Sequence, residues 1–149
     1  MTTSLTAETT DTSPDPTLQL SWVWLGAWAV LTAAVTFEVA RHGFVQGSGA
    51  EIAVLTSVAV TFFVAPDLTF LVGIGQPAEP GYLPRRAVPW YNAMHRLWVP
   101  LAFTVVVAAT MTPQATSTVA LFVGGLSWMA HITLDRASGY GLRNPDGSR

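Results

Sequence analysis

The sequence predicts an all-α integral membrane protein built as a four-helix bundle. Hydrophobic residues make up 50% of the chain and charged residues only 11%, whereas about a quarter of the residues in a soluble domain are charged. Two long apolar stretches contain no charged residue at all, and hydrocarbon can contact such stretches directly. We therefore expect a lipid bilayer to surround most of the chain.

The first two helices are predicted from segments with little or no charge. The first is expected over residues 18–40, because residues 18–37 carry no charge and about twenty residues span the roughly 30 Å hydrocarbon core. The second is expected over residues 51–72, interrupted only by Pro66 and Asp67. Residues 1–17 are polar and hold no basic residue, which indicates a disordered tail before a retained anchor rather than a cleaved signal peptide.

The last two helices are predicted from residues 97–134, which carry no charge but are broken near the middle by residues 112–114. A third helix is expected over residues 88–111 and a fourth over 114–136, joined by a tight turn. The four spans make a membrane domain over residues 18–136, followed by a polar C-terminal tail over 137–149. Between the second and third helices, residues 73–89 hold four prolines and three glycines. This segment is expected to be an exposed connector.

The distribution of arginine predicts the orientation. With four spans, the N-terminus, the 73–89 connector and the C-terminal tail share one side. That side holds Arg85, Arg86, Arg136, Arg143 and Arg149, whereas the other holds Arg41. Because short cytoplasmic segments are enriched in Lys and Arg, we expect a protein of the cytoplasmic membrane with both termini in the cytoplasm. A three-span alternative, with Pro66 ending a hairpin, would change the sidedness.

Composition also excludes several classes of protein. There is no cysteine, so disulfides, thiolate nucleophiles and thiolate-ligated metal centres are excluded. The seven basic residues form no stripe and the net charge is −2, so no nucleic-acid partner is expected. We expect no cofactor, and a second copy of the chain or another membrane protein as candidate partners besides lipid.

The chemistry is expected in one polar layer near the cytoplasmic surface. Asp67, His95 and His131 are each predicted within about 10 Å of that surface, given 1.5 Å of rise per helical residue. Asp135 follows His131 by one turn and is expected to orient it, while Arg96, His95 and Arg136 are candidate partners of Asp67. Ionisable groups in a span are normally buried against such partners.

A metal site is one interpretation of this layer. Its ligands would be His95, His131, Asp67 and Asp135, whose side chains suit zinc or iron. Spacing along the sequence does not show that three helices converge, and a helix-end hydrogen bond between His131 and Asp135 explains that pair equally simply.

Several short runs of residues are together similar to a known family. They are Pro66-Asp67-Leu68; Tyr91-Asn92 with His95 and Pro100; Trp128 with His131; and Asp135-Arg136 followed by Gly139-Tyr140-Gly141-Leu142 and Pro145. On these runs the chain resembles an uncharacterised bacterial membrane family, domain-of-unknown-function family 4260, over about residues 18–145. The resemblance implies a four-helix membrane protein and no established activity. The polar residues it implies are shared are Asp67, Tyr91, Asn92, His95, His131, Asp135 and Arg136.

The chain departs from that family's pattern in three places. Arg96 stands where a small hydroxyl residue follows His95, the connector before Tyr91 is richer in proline, and the tail lacks a Phe and a Thr-His-Leu run.

Three functions remain open from the sequence. The favoured one is a structural or accessory membrane protein whose polar layer fixes the register of the helices. The second is passage of a proton, ion or small polar solute through an oligomer. The third and least favoured is an intramembrane enzyme that uses His95 and His131 for proton transfer or metal binding, and no residue is assigned as catalytic.

Overall fold

The computed structural model describes residues 16–46, 48–112 and 115–149. Within these ranges the chain forms helices and no strand, so the predicted all-α fold is confirmed. Residues 1–15, most of the predicted N-terminal tail, lie outside the described residues. The helices are α1 (Pro16–Gln46), α2 (Gly49–Val64), a 3₁₀ helix (Ala65–Gly73), α3 (Val88–Met94), α4 (Trp98–Thr110) and α5 (Thr116–Ala137).

Three or four of these segments are able to cross a membrane. Ser21–Val45, Gly49–Gly73 and Thr116–Ala137 are each long and apolar enough, judged by length and composition. α3 and α4 together form a fourth span if this pair, bent by 44°, is counted as one. The protein is therefore a helical membrane protein.

The helix α5 lies at the centre of the bundle and contacts α1, α2 and α4. In its most apolar 18-residue stretch 61% of the residues are buried, whereas in the corresponding stretch of α1 none is fully buried. Two adjacent glycines explain the close packing. A Cβ atom on Gly124 would lie 2.9 Å from the Phe62 ring of α2, and one on Gly125 would overlap the Thr104 hydroxyl of α4.

The two ends of the bundle differ in their polar groups. We call the end near Ser48, between α1 and α2, the turn end. There Ser48 caps α2 by accepting from the Glu51 N–H, and Thr116 of α5 donates to the Glu51 carboxylate at 2.8 Å. The buried His42 ring lies 3.4 Å from the same Thr116 hydroxyl. These contacts join α1, α2 and α5. We call the opposite end, where Asp67 meets His131, the site end.

Residues 65–73 continue α2 as a 3₁₀ helix rather than as the α-helix expected to residue 72. Pro66 lacks an N–H and cannot donate a hydrogen bond to the preceding turn. The Thr69 hydroxyl donates to the Pro66 carbonyl at 2.7 Å and so competes with backbone N–H groups for that acceptor. A 3₁₀ helix rises about 2.0 Å per residue, so this segment carries Asp67 and the chain quickly out of α2.

The helix expected over residues 88–111 is divided in the structure. α3 ends at Met94, α4 begins at Trp98, and their axes differ by 44°. Pro100 is accommodated in the first turn of α4, where its missing N–H is not required. Because Pro100 has no N–H to donate to the Arg96 carbonyl, that carbonyl accepts a hydrogen bond from the Val99 N–H instead, at 2.9 Å. The division places His95 at the bend.

The segment expected as a polar tail over residues 137–149 folds back on the connector and on α3. Gly139, with φ of +80°, ends α5, a conformation that glycine adopts without steric cost. Asn92 and Arg143 then exchange two hydrogen bonds of 2.8 Å, and Leu83 donates to the Gly147 carbonyl at 3.0 Å. Hydrogen bonds from Ser148 lower the pKa of the exposed Asp146 carboxyl below its usual value.

Substituting Gly125 tests the packing of α5 against α4. We expect Gly125→Ala to lower the free energy of unfolding in detergent by about 1–3 kcal/mol, because the new methyl group overlaps Thr104, whose hydroxyl is held by the Pro100 carbonyl. Gly26→Ala on α1 is the matched control, since a Cβ atom added there would have no atom within 4 Å. Equal losses in the two variants, measured by thermal unfolding, would contradict this packing.

Candidate metal centre

Four ionisable side chains from three segments meet at the site end. Asp67 comes from the 3₁₀ helix, His95 from the bend between α3 and α4, and His131 and Asp135 from consecutive turns of α5. One potential ligand atom from each residue lies within 4.8 Å of every other. The structure thus brings together the four residues that the sequence offered as metal ligands.

The five His–His and His–Asp distances between these atoms are close to those in a tetrahedral metal site. The Nε2 atoms of the two histidines are 3.3 Å apart. From His95 Nε2 to the carboxylate oxygens of Asp135 and Asp67 the distances are 3.3 Å and 3.7 Å, and from His131 Nε2 they are both 3.6 Å. Ligands about 2.0–2.1 Å from a tetrahedral zinc ion lie roughly 3.3–3.4 Å from one another.

Direct hydrogen bonding explains these distances less well. A charge-assisted bond between an imidazolium and a carboxylate is about 2.7–2.9 Å long, and each of the four His–Asp distances is 3.3 Å or more. The two Nε2 atoms are within hydrogen-bond distance of each other at 3.3 Å, whereas the four His–Asp pairs are wider than charge-assisted hydrogen bonds.

The tautomer of His95 directs its second nitrogen into the cluster. Nδ1 of His95 lies 2.9 Å from the Tyr91 carbonyl, and a carbonyl oxygen only accepts, so Nδ1 carries the hydrogen. In the neutral ring Nε2 then presents a lone pair towards Asp67 and Asp135. Histidines that bind metals commonly donate their other N–H to a backbone carbonyl in this way.

Aromatic side chains fix both imidazole rings. Tyr91 stacks on His95 with ring centroids 3.8 Å apart, and the Phe63 ring meets His131 nearly edge-on at 5.3 Å. The side chains of the two histidines are only 2% and 6% exposed, whereas Asp67 is 47% exposed. The cluster is accordingly closed on the histidine side and open beside Asp67.

Side chains of α5 satisfy the backbone carbonyls at the bend that carries His95. Trp128 donates through Nε1 to the Met94 carbonyl at 2.8 Å, and Arg136 donates to the His95 carbonyl at 3.4 Å. Unpaired carbonyls in a membrane are costly, so these two donors allow the chain to break here. The bend and α5 are thereby held in one register.

The other residues singled out from the sequence lie around the cluster rather than in it. Tyr91 packs on His95 and donates to the Gly141 carbonyl, Asn92 binds the backbone of Arg143, and Arg136 supports the bend. Within the described part of the chain, the ion pairs of Asp67 are with the two histidines and not with Arg96.

Sequence reasoning missed Phe63 and the contacts of the C-terminal segment. Phe63 precedes Asp67 by four residues, a spacing that places two side chains on one helical face. That spacing is the only signal in the sequence that pointed to it.

The fold and the cluster together define a class of protein, a helical membrane protein with a compact His–Asp cluster at one end of its bundle. The chain belongs to the family described as Domain of unknown function (DUF4260), whose model matches residues 36–149. That range includes all four residues of the cluster. No curated protein and no solved structure matches the chain.

Proposed function

We propose that this protein is a multi-pass protein of the cytoplasmic membrane that binds one divalent transition-metal ion through His95, His131, Asp67 and Asp135. The observation that carries the proposal is the spacing of the four ligand atoms, 3.3–3.7 Å for every His–His and His–Asp pair. For the His–Asp pairs such spacing suits a shared ion better than it suits charge-assisted hydrogen bonds.

Charge supports the same proposal. Two carboxylates beside two neutral imidazoles carry a formal charge of about −2. A divalent cation neutralises that charge. The donor set of two nitrogens and two oxygens suits zinc, and also iron or manganese, but not the softer ions that thiolates select.

A bound ion also accounts for the structural role that the sequence favoured. It joins the 3₁₀ helix, the bend and α5, which are separate segments of the chain. The metal would then fix the register of the bundle where the backbone departs from regular α-helix.

The arginines support an orientation with the site end in the cytoplasm. Arg85 and Arg86 lie in the connector, Arg136 in the last turn of α5, and Arg143 and Arg149 in the C-terminal segment, all towards that end, whereas Arg41 lies towards the turn end. This asymmetry follows the enrichment of basic residues in cytoplasmic segments. Both termini would then be cytoplasmic.

Metal content tests the proposed site directly. Full-length protein purified in detergent through a tag without histidine, loaded with zinc and desalted, is expected to hold about one ion per chain. His95→Gln and His131→Gln should each lose it, because each removes one nitrogen ligand. The chain's third histidine supplies the control: His42→Gln should keep the ion, since His42 lies at the turn end.

Asp67→Asn separates loss of the ligand from loss of folding. Its side chain is half-exposed and the replacement is nearly the same size, so the unfolding temperature of the metal-free protein should change little while zinc binding weakens. Free zinc at 100 times its Kd should stabilise the parent by about 2.7 kcal/mol.

Equal zinc content in the parent and in His131→Gln would overturn the proposal.

Because the chain has no cysteine, single introduced thiols can report the orientation. A membrane-impermeant maleimide added to intact cells should label Ala50→Cys, near the turn end, and should leave Arg149→Cys unlabelled until the cells are opened. The reverse pattern would contradict cytoplasmic termini.

A further inference from the structure

A pocket opens in the connector, where the C-terminal segment packs against it. Its volume is about 560 Å³, which lies within the range of about 300–1,000 Å³ common for ligand sites. Residues 76–79 and 82–86 of the connector line it, together with Asp146 of the C-terminal segment. None of the four residues of the metal cluster is in this lining, so the pocket is separate from the proposed metal centre.

Backbone contacts hold the two segments that form the pocket. The Leu83 N–H donates to the Gly147 carbonyl at 3.0 Å. A Cβ atom added to Gly147 would overlap the Leu83 carbonyl, and the φ of Gly147 is +95°, so only glycine permits this approach without strain. The C-terminal segment is thereby fixed against the connector, and the pocket is formed without help from a ligand.

Four charged side chains line the pocket, two of each sign: Arg85, Arg86, Glu79 and Asp146. Within the residues that the structure describes, the side chains of Arg85, Arg86 and Glu79 form no hydrogen bond and no ion pair. Asp146 accepts from the N–H and the hydroxyl of Ser148, at 2.9 Å and 2.8 Å, rather than from an arginine. The two guanidinium groups therefore keep their N–H donors, and the Glu79 carboxylate its acceptors, for a molecule in the pocket.

This mixture of charges selects the chemistry of the ligand. Guanidinium groups bind phosphate oxygens, often through two parallel hydrogen bonds. A plain anion would meet the two carboxylates as well, and like charges repel. A primary ammonium group has three N–H donors for carboxylate oxygens, as a lysine side chain does, whereas the quaternary ammonium of choline has none. A phosphate joined to a primary ammonium group therefore matches both pairs of side chains.

The pocket lies beside the end of a candidate membrane span. The arginine pair comes just before α3, which begins at Val88 and forms one half of that span. Tyr82 in the lining, Trp90 in α3 and Tyr140 after α5 are all exposed, and Trp and Tyr are enriched where a membrane meets water. Because lipid head groups occupy that depth, a lipid can present its head group to the pocket.

We propose that the connector pocket binds a phosphoethanolamine group, with the phosphate on Arg85 and Arg86 and the ammonium group on Glu79 and Asp146. A membrane lipid presents this group at the surface of the bilayer, and a soluble ester of phosphoethanolamine carries the same chemistry. The inference depends neither on the metal centre nor on which side of the membrane the pocket faces.

Native mass spectrometry of the full-length protein in detergent measures the selectivity for the head group. The probes are dioleoyl phosphatidylethanolamine, phosphatidylcholine and phosphatidylglycerol, which have the same acyl chains. We expect phosphatidylethanolamine to bind about tenfold more tightly than either of the others, a difference of about 1.4 kcal/mol. The choline lipid lacks N–H donors and the glycerol lipid lacks the cation. Equal binding of the three lipids, or tighter binding of phosphatidylglycerol, would overturn the proposal.

Substitutions in the lining test each charge. Arg85→Gln and Arg86→Gln should each weaken binding of phosphatidylethanolamine several-fold, because each removes donors to the phosphate. Glu79→Gln should reduce the preference for phosphatidylethanolamine over phosphatidylcholine and leave phosphatidylcholine binding unchanged. Arg96→Gln is the matched control, since Arg96 is exposed and outside the lining, and it should bind all three lipids as the parent does. Equal losses in Arg96→Gln and Arg86→Gln would contradict the site.

All the substituted side chains are exposed, so these variants should keep the unfolding temperature of the parent. Soluble glycerophosphoethanolamine distinguishes the two sources of the group. If it displaces the lipid at millimolar concentration, the pocket accepts the free group; if it does not and the variants behave as expected, the pocket takes the group from a lipid. Zinc content in Arg86→Gln should equal that of the parent, because the pocket and the metal centre share no residue. Failure of either proposal therefore leaves the other standing.

Discussion

The structure depends on holding two carboxylates and two imidazoles within a few ångströms of one point at the end of an apolar bundle. In water these groups would be separately hydrated, but a membrane protein must pair such groups internally or bind an ion between them. The Nε2 atoms of His95 and His131 are 3.3 Å apart, and one oxygen of Asp135 lies near both. These short distances show the constraint most clearly. The proposed cation, bound between them, would satisfy all four groups at once.

The packing of the helices around the cluster brings its four residues together. α5 supplies two of the four ligands, and Gly124 and Gly125 let α2 and α4 approach it closely enough to bring the other two. The bend after α3 turns His95 inward, and Trp128 and Arg136 of α5 bind the carbonyls that the bend leaves free. Packing, backbone hydrogen bonding and the cluster are consequently coupled through one helix, so a change in α5 should affect all three.

The sequence predicted the all-α membrane fold because apolar length and missing charge depend only on local composition. It also identified the four cluster residues, since an ionisable side chain in a span is conspicuous. It did not predict their convergence: position along a helix follows from residue number, but the rotation and tilt of one helix against another do not. The break at His95 and the folding of residues 138–149 onto α3 were missed for a related reason, because both depend on donors and acceptors far away in the chain, such as Trp128 and Asn92.

X-ray absorption at the zinc edge of the metal-loaded protein tests the central claim most directly, because it reports the atoms bound to the ion. The account predicts a four-coordinate ion with nitrogen and oxygen neighbours at about 2.0–2.1 Å and the outer-shell scattering of two imidazole rings. A six-coordinate shell of oxygen atoms without imidazole scattering would show that the ion is bound elsewhere on the protein, and the His–Asp cluster would then not be a metal centre.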